Sequence, residues 1–151
     1  MRKLILMLSI ILTGCQTQKN SSISIFPYDY DLWLSSRLAW EEIFTPTAEE
    51  YYIYFYAPLC GHCQSIKEEM LLFYLQDDIT MYVIFDDDEI VYGPLRSEEE
   101  LLGIKTLDDL SIPGVPTLIL IKAHAIAKFL VGAKIISAFL FEKQNEKRLV
   151  F

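Results

Sequence analysis

The run YYIYFYAPLCGHCQSIKEEM, Tyr51 to Met70, reads as a strand, a sharp turn and a helix, with two cysteines at the joint. Tyr51 to Tyr56 is aromatic and β-branched and carries no charge, the composition of a buried strand. Ala57-Pro58 ends the ladder, because proline has no N–H to donate. From Gln64 onward the spacing turns helical. Ile66, Met70 and Phe73 fall at i, i+4 and i+7, one face of a helix.

Placing a cysteine at that joint has a chemical consequence. Cys60 falls where the helix begins, among unpaired backbone N–H groups at the positive end of the helix dipole, and a thiolate is favoured there. With two residues between them, Cys63 can reach back to Cys60 across one helical turn. Cys60 is then the nucleophile that attacks a disulfide, and Cys63 the thiol that resolves the mixed disulfide. Gly61 permits the tight turn. His62 places partial or full positive charge near the thiolate, and stabilising the reduced form makes a dithiol pair a better oxidant.

These residues resemble the thioredoxin superfamily. Ala57-Pro58-Leu59-Cys60-Gly61-His62-Cys63, with Lys67 four residues on, is similar to that family's Ala-Pro-Trp-Cys-x-x-Cys-x-x-x-Lys block, and Gly61-His62 matches its protein-disulfide isomerase version. A second family mark, Gly114-Val115-Pro116-Thr117, precedes an apolar strand about fifty residues downstream. The resemblance runs from Leu38 to Glu146. It implies a thioredoxin fold, an α/β architecture with a mixed central sheet flanked by helices on both faces. It also implies a cis bond at Pro116 beside the CxxC loop, with the backbone of Val115 pairing with bound substrate. Two positions depart from the family. Leu59 replaces the usual tryptophan, leaving a bulky apolar cover and a third substrate-binding candidate beside Val115 and Pro116. Tyr54 stands where the family often buries a carboxylate, and a phenol is a poor proton acceptor at neutral pH.

The start of the chain reads as an export leader. Arg2 and Lys3 precede an apolar run, Leu4 to Leu12, too short to span a bilayer. Leu12-Thr13-Gly14-Cys15 is similar to a bacterial lipobox, which implies lipid on Cys15 as the first mature residue; an ordinary leader with an incidental thiol is the other reading. Residues 1–14 are thus expected to be a signal peptide. Residues 15–34 are expected to be a tether and strap, and 35–151 the thioredoxin-like domain. Ile25 to Trp33 is either an edge strand or a strap over the core.

Further along, Ser35 or Ser36 is expected to cap a helix running to Phe44, with Leu38, Ile43 and Phe44 inward. Ile79 to Phe85 reads as the next strand. Asp86-Asp87-Asp88-Glu89 is a calcium candidate by its oxygens, but a solvated loop is favoured because the EF-hand spacing is missing. Ser97 and Glu100 fit a capping box for the helix that crosses back to the proline loop. Thr117–Lys122 and Ala125–Val131 read as a hairpin. A last helix, Ala133 to Lys147, carries Ile135, Ile136, Phe139 and Leu140 on its apolar face.

Composition narrows the partners. The chain has 13 basic and 21 acidic residues, net −8. Without Arg2 and Lys3 of the leader, 11 basic residues face 21 acidic ones, or −10. That balance argues against nucleic acid and against electrostatic binding to anionic lipid, so membrane contact rests on the acyl chains at Cys15. Cys60, Cys63 and His62 cannot together bind one metal ion from so tight a turn. No cofactor is called for beyond the redox-active Cys60–Cys63 pair itself. The expected partners are exported protein thiols or disulfides and a membrane or extracytoplasmic redox partner, met on the outer face of the cell membrane, where disulfide chemistry is permitted. A redox-weak binding or export-accessory lipoprotein on the same fold is the competing expectation.

Overall fold

The computed structural model describes residues 31–148. The leader, Cys15, the tether and most of the 25–33 run lie outside them. The sheet has four strands: β1 (Glu50–Tyr56), β2 (Met81–Phe85), β3 (Thr117–Lys122) and β4 (Ala125–Val131), in the order β2-β1-β3-β4. β1 runs parallel to β2 and antiparallel to β3, with Tyr54 opposite Val83 on one side and Leu118 on the other. β3 and β4 form the expected hairpin. Its turn is Ala123-His124, both left-handed, with φ of 48° and 59°.

A sheet with both faces covered explains why β1 reads as an uninterrupted apolar run. Tyr52, Tyr54 and Tyr56 point to one face, where they meet two helices, α3 (Lys67–Tyr74) and α5 (Ala133–Arg148). Met70 and Phe73 come from α3, and Ile136, Phe139 and Leu140 from α5. Tyr51, Ile53 and Phe55 point the other way, onto Leu38, Trp40, Ile43, Leu101 and Ile112. Trp40 packs edge-on against Phe55, as core.

Several local expectations are corrected. No helix runs from Ser35 or Ser36 to Phe44. One turn, α1 (Asp31–Leu34), comes before that stretch, and a single 3-10 turn lies within it at Trp40–Glu42. Between them the chain is extended along the free edge of β2, where Leu38 donates to the Val83 carbonyl at 3.0 Å and Val83 donates to Ser36 at 2.9 Å. These bonds satisfy backbone groups on the edge of β2, and the buried Leu38, Trp40 and Ile43 hold the stretch against the sheet. Of the 25–33 run, Trp33 is placed in α1 rather than in a strand, and its side chain is fully buried.

The crossover from β2 is mostly irregular. The Ser97–Glu100 capping box forms as expected but opens only one turn, α4 (Glu98–Leu101), before Gly103 turns left-handed at φ 85°. The helix after the cysteines is also broken. A short α2 (Gly61–Ser65) stops at Ile66, whose φ and ψ of −116° and 9° leave the helical region, and α3 continues from Lys67. In α5, Ile136, Phe139 and Leu140 are buried, but Ile135 is half-exposed and lines a depression shared with His62 and Val115.

Candidate active site

The end of β1 delivers Cys60 to the start of α2. Pro58 and Leu59 make the turn, and Gln64 fixes it by donating to the Pro58 carbonyl at 2.7 Å and to the Tyr56 hydroxyl at 2.8 Å. Cys60 is the N-cap residue of α2: its sulfur accepts the Cys63 backbone N–H at 3.3 Å, and its carbonyl accepts from Gln64 at 3.0 Å. The sulfur therefore takes the place a serine or aspartate oxygen takes at other helix starts. Both cysteines are free thiols, Cys60 half-buried and Cys63 wholly buried.

The second family mark comes into contact with the first. The Val115–Pro116 peptide bond is cis, and the Cys60 Sγ lies 3.6 Å from the Val115 carbonyl, as donor to it. His62 is exposed on α2 and forms one wall of a depression of about 390 Å³ with Val115, Pro116, Gly132, Lys134 and Ile135. Leu59 does not cover the thiol. It is 99 % exposed, because the turn at Pro58-Leu59 throws its side chain into solvent. It remains available to a partner, but not as packing. The acidic run at the end of β2 is anchored rather than free: Asp87 and Asp88 pair with Arg37 at 2.9 and 2.6 Å, and Asp88 also caps the Phe85 N–H.

The two sulfurs sit in unlike surroundings. Burial pushes the Cys63 thiol up to about 12, helped by the hydrogen bond and charge of Cys60 and the charge of Asp86, while the Ala57 backbone opposes. Cys63 is thus a protonated thiol at neutral pH, held beneath the more accessible Cys60. Tyr54 is fully buried, and burial moves its hydroxyl far above the ordinary phenol range, with the charge of Cys63 next in importance. Trp33 packs edge-on against both Tyr54 and Tyr56, with centroids 5.6 and 4.9 Å away. Sequence reasoning assigned Trp33 no part in the site. An aromatic at the end of an irregular run carries no mark of the strand it will slide beneath.

No protein-family model matches the chain, and no curated protein matches it. Among solved structures, mitochondrial thioredoxin 3 from Saccharomyces cerevisiae in its oxidized form superposes with a TM-score of 0.50 at 16 % identity, covering 74 % of this chain and 97 % of that one. The chain has the thioredoxin fold. Thioredoxin f2 of Chlamydomonas reinhardtii (18 % identity, TM-score 0.48, 72 % of this chain and 94 % of that one) is also similar. So is thioredoxin f from spinach chloroplast (18 %, 0.47, 75 % and 92 %). On this thioredoxin fold, the CxxC pair at the start of α2 and the cis-proline loop before β3 come together although 55 residues separate Cys60 from Val115.

Proposed function

We propose that this chain is a thiol–disulfide oxidoreductase of exported proteins, tethered through lipid on Cys15 to the extracytoplasmic face of the cell membrane. The observation that carries the exchange chemistry is the contact between the Cys60 sulfur and the Val115 carbonyl across the cis bond. A client strand lying along Val115 would present its disulfide to the one accessible sulfur of the pair. Cys60 attacks, forming a bond to one client sulfur and releasing the other as thiolate. Cys63 then loses its proton and attacks Cys60, closing the internal disulfide as the Cys60–client bond breaks and the second client sulfur leaves as thiolate. The client gains two electrons and the pair loses them. Run in reverse, the same steps oxidise the client. His62 beside the pair favours the oxidase or isomerase direction; Gly61 is not needed to make the turn, since a Cβ there would meet no atom within 4 Å and its φ is not left-handed. The tether rests on the leader and Cys15 of the sequence.

An insulin-reduction assay with wild type and Cys60→Ser tests the exchange. Activity in the wild type that vanishes in the variant supports it; equal rates refute it. Equilibration with glutathione fixes the direction, a potential near thioredoxin's, about −270 mV, removing the oxidase reading. The second reading, a binding module that does little redox work, draws on the burial that raises the Cys63 thiol and on Tyr54 and Leu59 at their positions. Equal insulin rates from the two proteins favour it.

A further inference from the structure

The end of the sheet that carries Cys60 is electrically lopsided. Tyr56 of β1 lies there beside Phe85 of β2, Phe55 beside Thr117 of β3, and Thr117 beside Val131 of β4. Past Phe85, on one edge, come four carboxylates, Asp86 to Glu89. Arg37 pairs with Asp87 and Asp88, while Asp86 and Glu89 have no ion pair among the described residues. Past Val131, on the other edge, comes Lys134, exposed and also without an ion pair among the described residues. Lys122 and Lys143, by contrast, are matched to Glu50 and Glu146.

Lys134 stands at the depression of about 390 Å³ that starts from the reacting centre. Val115, whose carbonyl lies 3.6 Å from the Cys60 sulfur, forms its near wall with His62. Val131, Ala133 and the half-exposed Ile135 form its far wall, and no carboxylate among the described residues lines it. A hollow of that volume is at the small end of ligand sites, so it suits one side chain rather than a folded surface. Its apolar walls gain by exchanging water for an apolar group.

We propose that Ile135 and Lys134 select the client: the depression takes an apolar side chain next to the client cysteine, and Lys134 favours a carboxylate on that same flank. This rests on the exchange reaction proposed above and names the class of disulfide it takes. Cys60 follows β1, and the depression lies on its β3–β4 side. The other flank of the client cysteine therefore lies toward the end of β2, where a carboxylate would meet Asp86 and Glu89. The two edges together decide which way a client segment lies. The bonds made and broken at Cys60 and Cys63 are unchanged; what differs between clients is how well they are held while Cys60 attacks.

Short peptides, each as its symmetric disulfide dimer, are offered to the reduced full chain carrying Cys15→Ser. The pair closes its disulfide as each dimer is cleaved to two peptide thiols, which are followed by chromatography of acid-quenched samples. Two of the peptides are isomers of equal charge, with aspartate before the cysteine and lysine after it, or the reverse, and serine elsewhere. One isomer should react about two- to fivefold faster at low salt, the range of an exposed charge pair. The difference should vanish near 1 M salt, where screening acts within about 3 Å. Lys134→Glu should abolish it, and the ratio between isomers cancels any effect of the substitution on the thiol itself. Leucine in place of the serine beside aspartate in the faster isomer should add roughly tenfold at either salt concentration, and Ile135→Ser should remove that gain. Both substituted side chains are exposed, and the salt series on the wild-type pocket reads the charge effect without either variant. Isomers that react equally, a difference that survives high salt or Lys134→Glu, or a leucine gain that is missing or outlasts Ile135→Ser overturns the inference. A protein inert toward every peptide overturns it together with the proposed function, whereas one that cleaves all of them at a single rate removes this inference alone.

Discussion

Raising the pH should accelerate resolution of the mixed disulfide well past the point where an ordinary cysteine has finished ionising. The thiol of Cys63 is moved from its ordinary 9.0 up to about 12, first by burial, then by the hydrogen bond and charge of Cys60 and the charge of Asp86. Ionisation removes a proton, so a raised value means less thiolate at any given pH. At pH 7 the difference is about a thousandfold in thiolate, roughly 1 % falling to about one part in 10⁵. In the mixed disulfide Cys60 carries no charge and accepts no proton from Cys63, so those two contributions vanish. Burial, the largest, remains. The resolving thiol should then ionise between the two limits. A Cys60 adduct with a chromogenic thiol, followed by stopped flow, reports resolution as the released thiol. The rate should climb about tenfold per pH unit from 7 and keep climbing beyond about pH 10. A plateau below pH 8 would refute the reasoning, because it would mean that a base or cation near Cys63 outweighs its burial. The same displacement works on stability with a definite sign. The contribution is complete below pH 9 and is lost as pH rises toward 12, since only the unfolded thiol ionises early in that window. Cys63→Ala should show a correspondingly flatter alkaline decline.

Ile135→Asp, altering the apolar wall beside Val115 and His62, should raise KM for a protein disulfide while leaving the rate with oxidised glutathione unchanged. Phe73→Ala should cost about 3–5 kcal/mol in urea unfolding, because the ring is buried between Tyr52 and Phe139. Ser97→Ala should cost about 1 kcal/mol by the same measurement, through loss of the capping box that opens α4. Gly93→Ala should lower the melting temperature, since the added methyl would lie 2.6 Å from the Ser111 Cβ and pry apart the bridge between Tyr92 and Ile112.

What the sequence made readable was whatever repeats or punctuates. The uncharged aromatic run Tyr51–Tyr56, the limits of Thr117–Lys122 and Ala125–Val131, and the joint at Cys60 are local patterns with local causes. The contact between Cys60 and Val115 was reached only through resemblance, because no local rule brings together residues 55 apart. Ser35–Phe44 misled for a related reason. Its helix-like spacing lost to the free edge of β2, a partner visible only once the sheet exists. Leu59 was legible as apolar but not as outward-facing, since a turn of two residues fixes its direction. Trp33 entered the site by tertiary packing alone.

Intact-mass analysis after a brief exposure to a small aromatic disulfide, with Cys15→Ser in every protein compared, tests the central claim most directly. Cys63→Ser should carry one lasting adduct, on Cys60; wild type should lose its adduct and end two hydrogens lighter. Cys60→Ser should carry none, because Cys63 is 0 % exposed. A lasting adduct on Cys60→Ser, or a wild type that keeps its own, would contradict the division of labour between the two sulfurs.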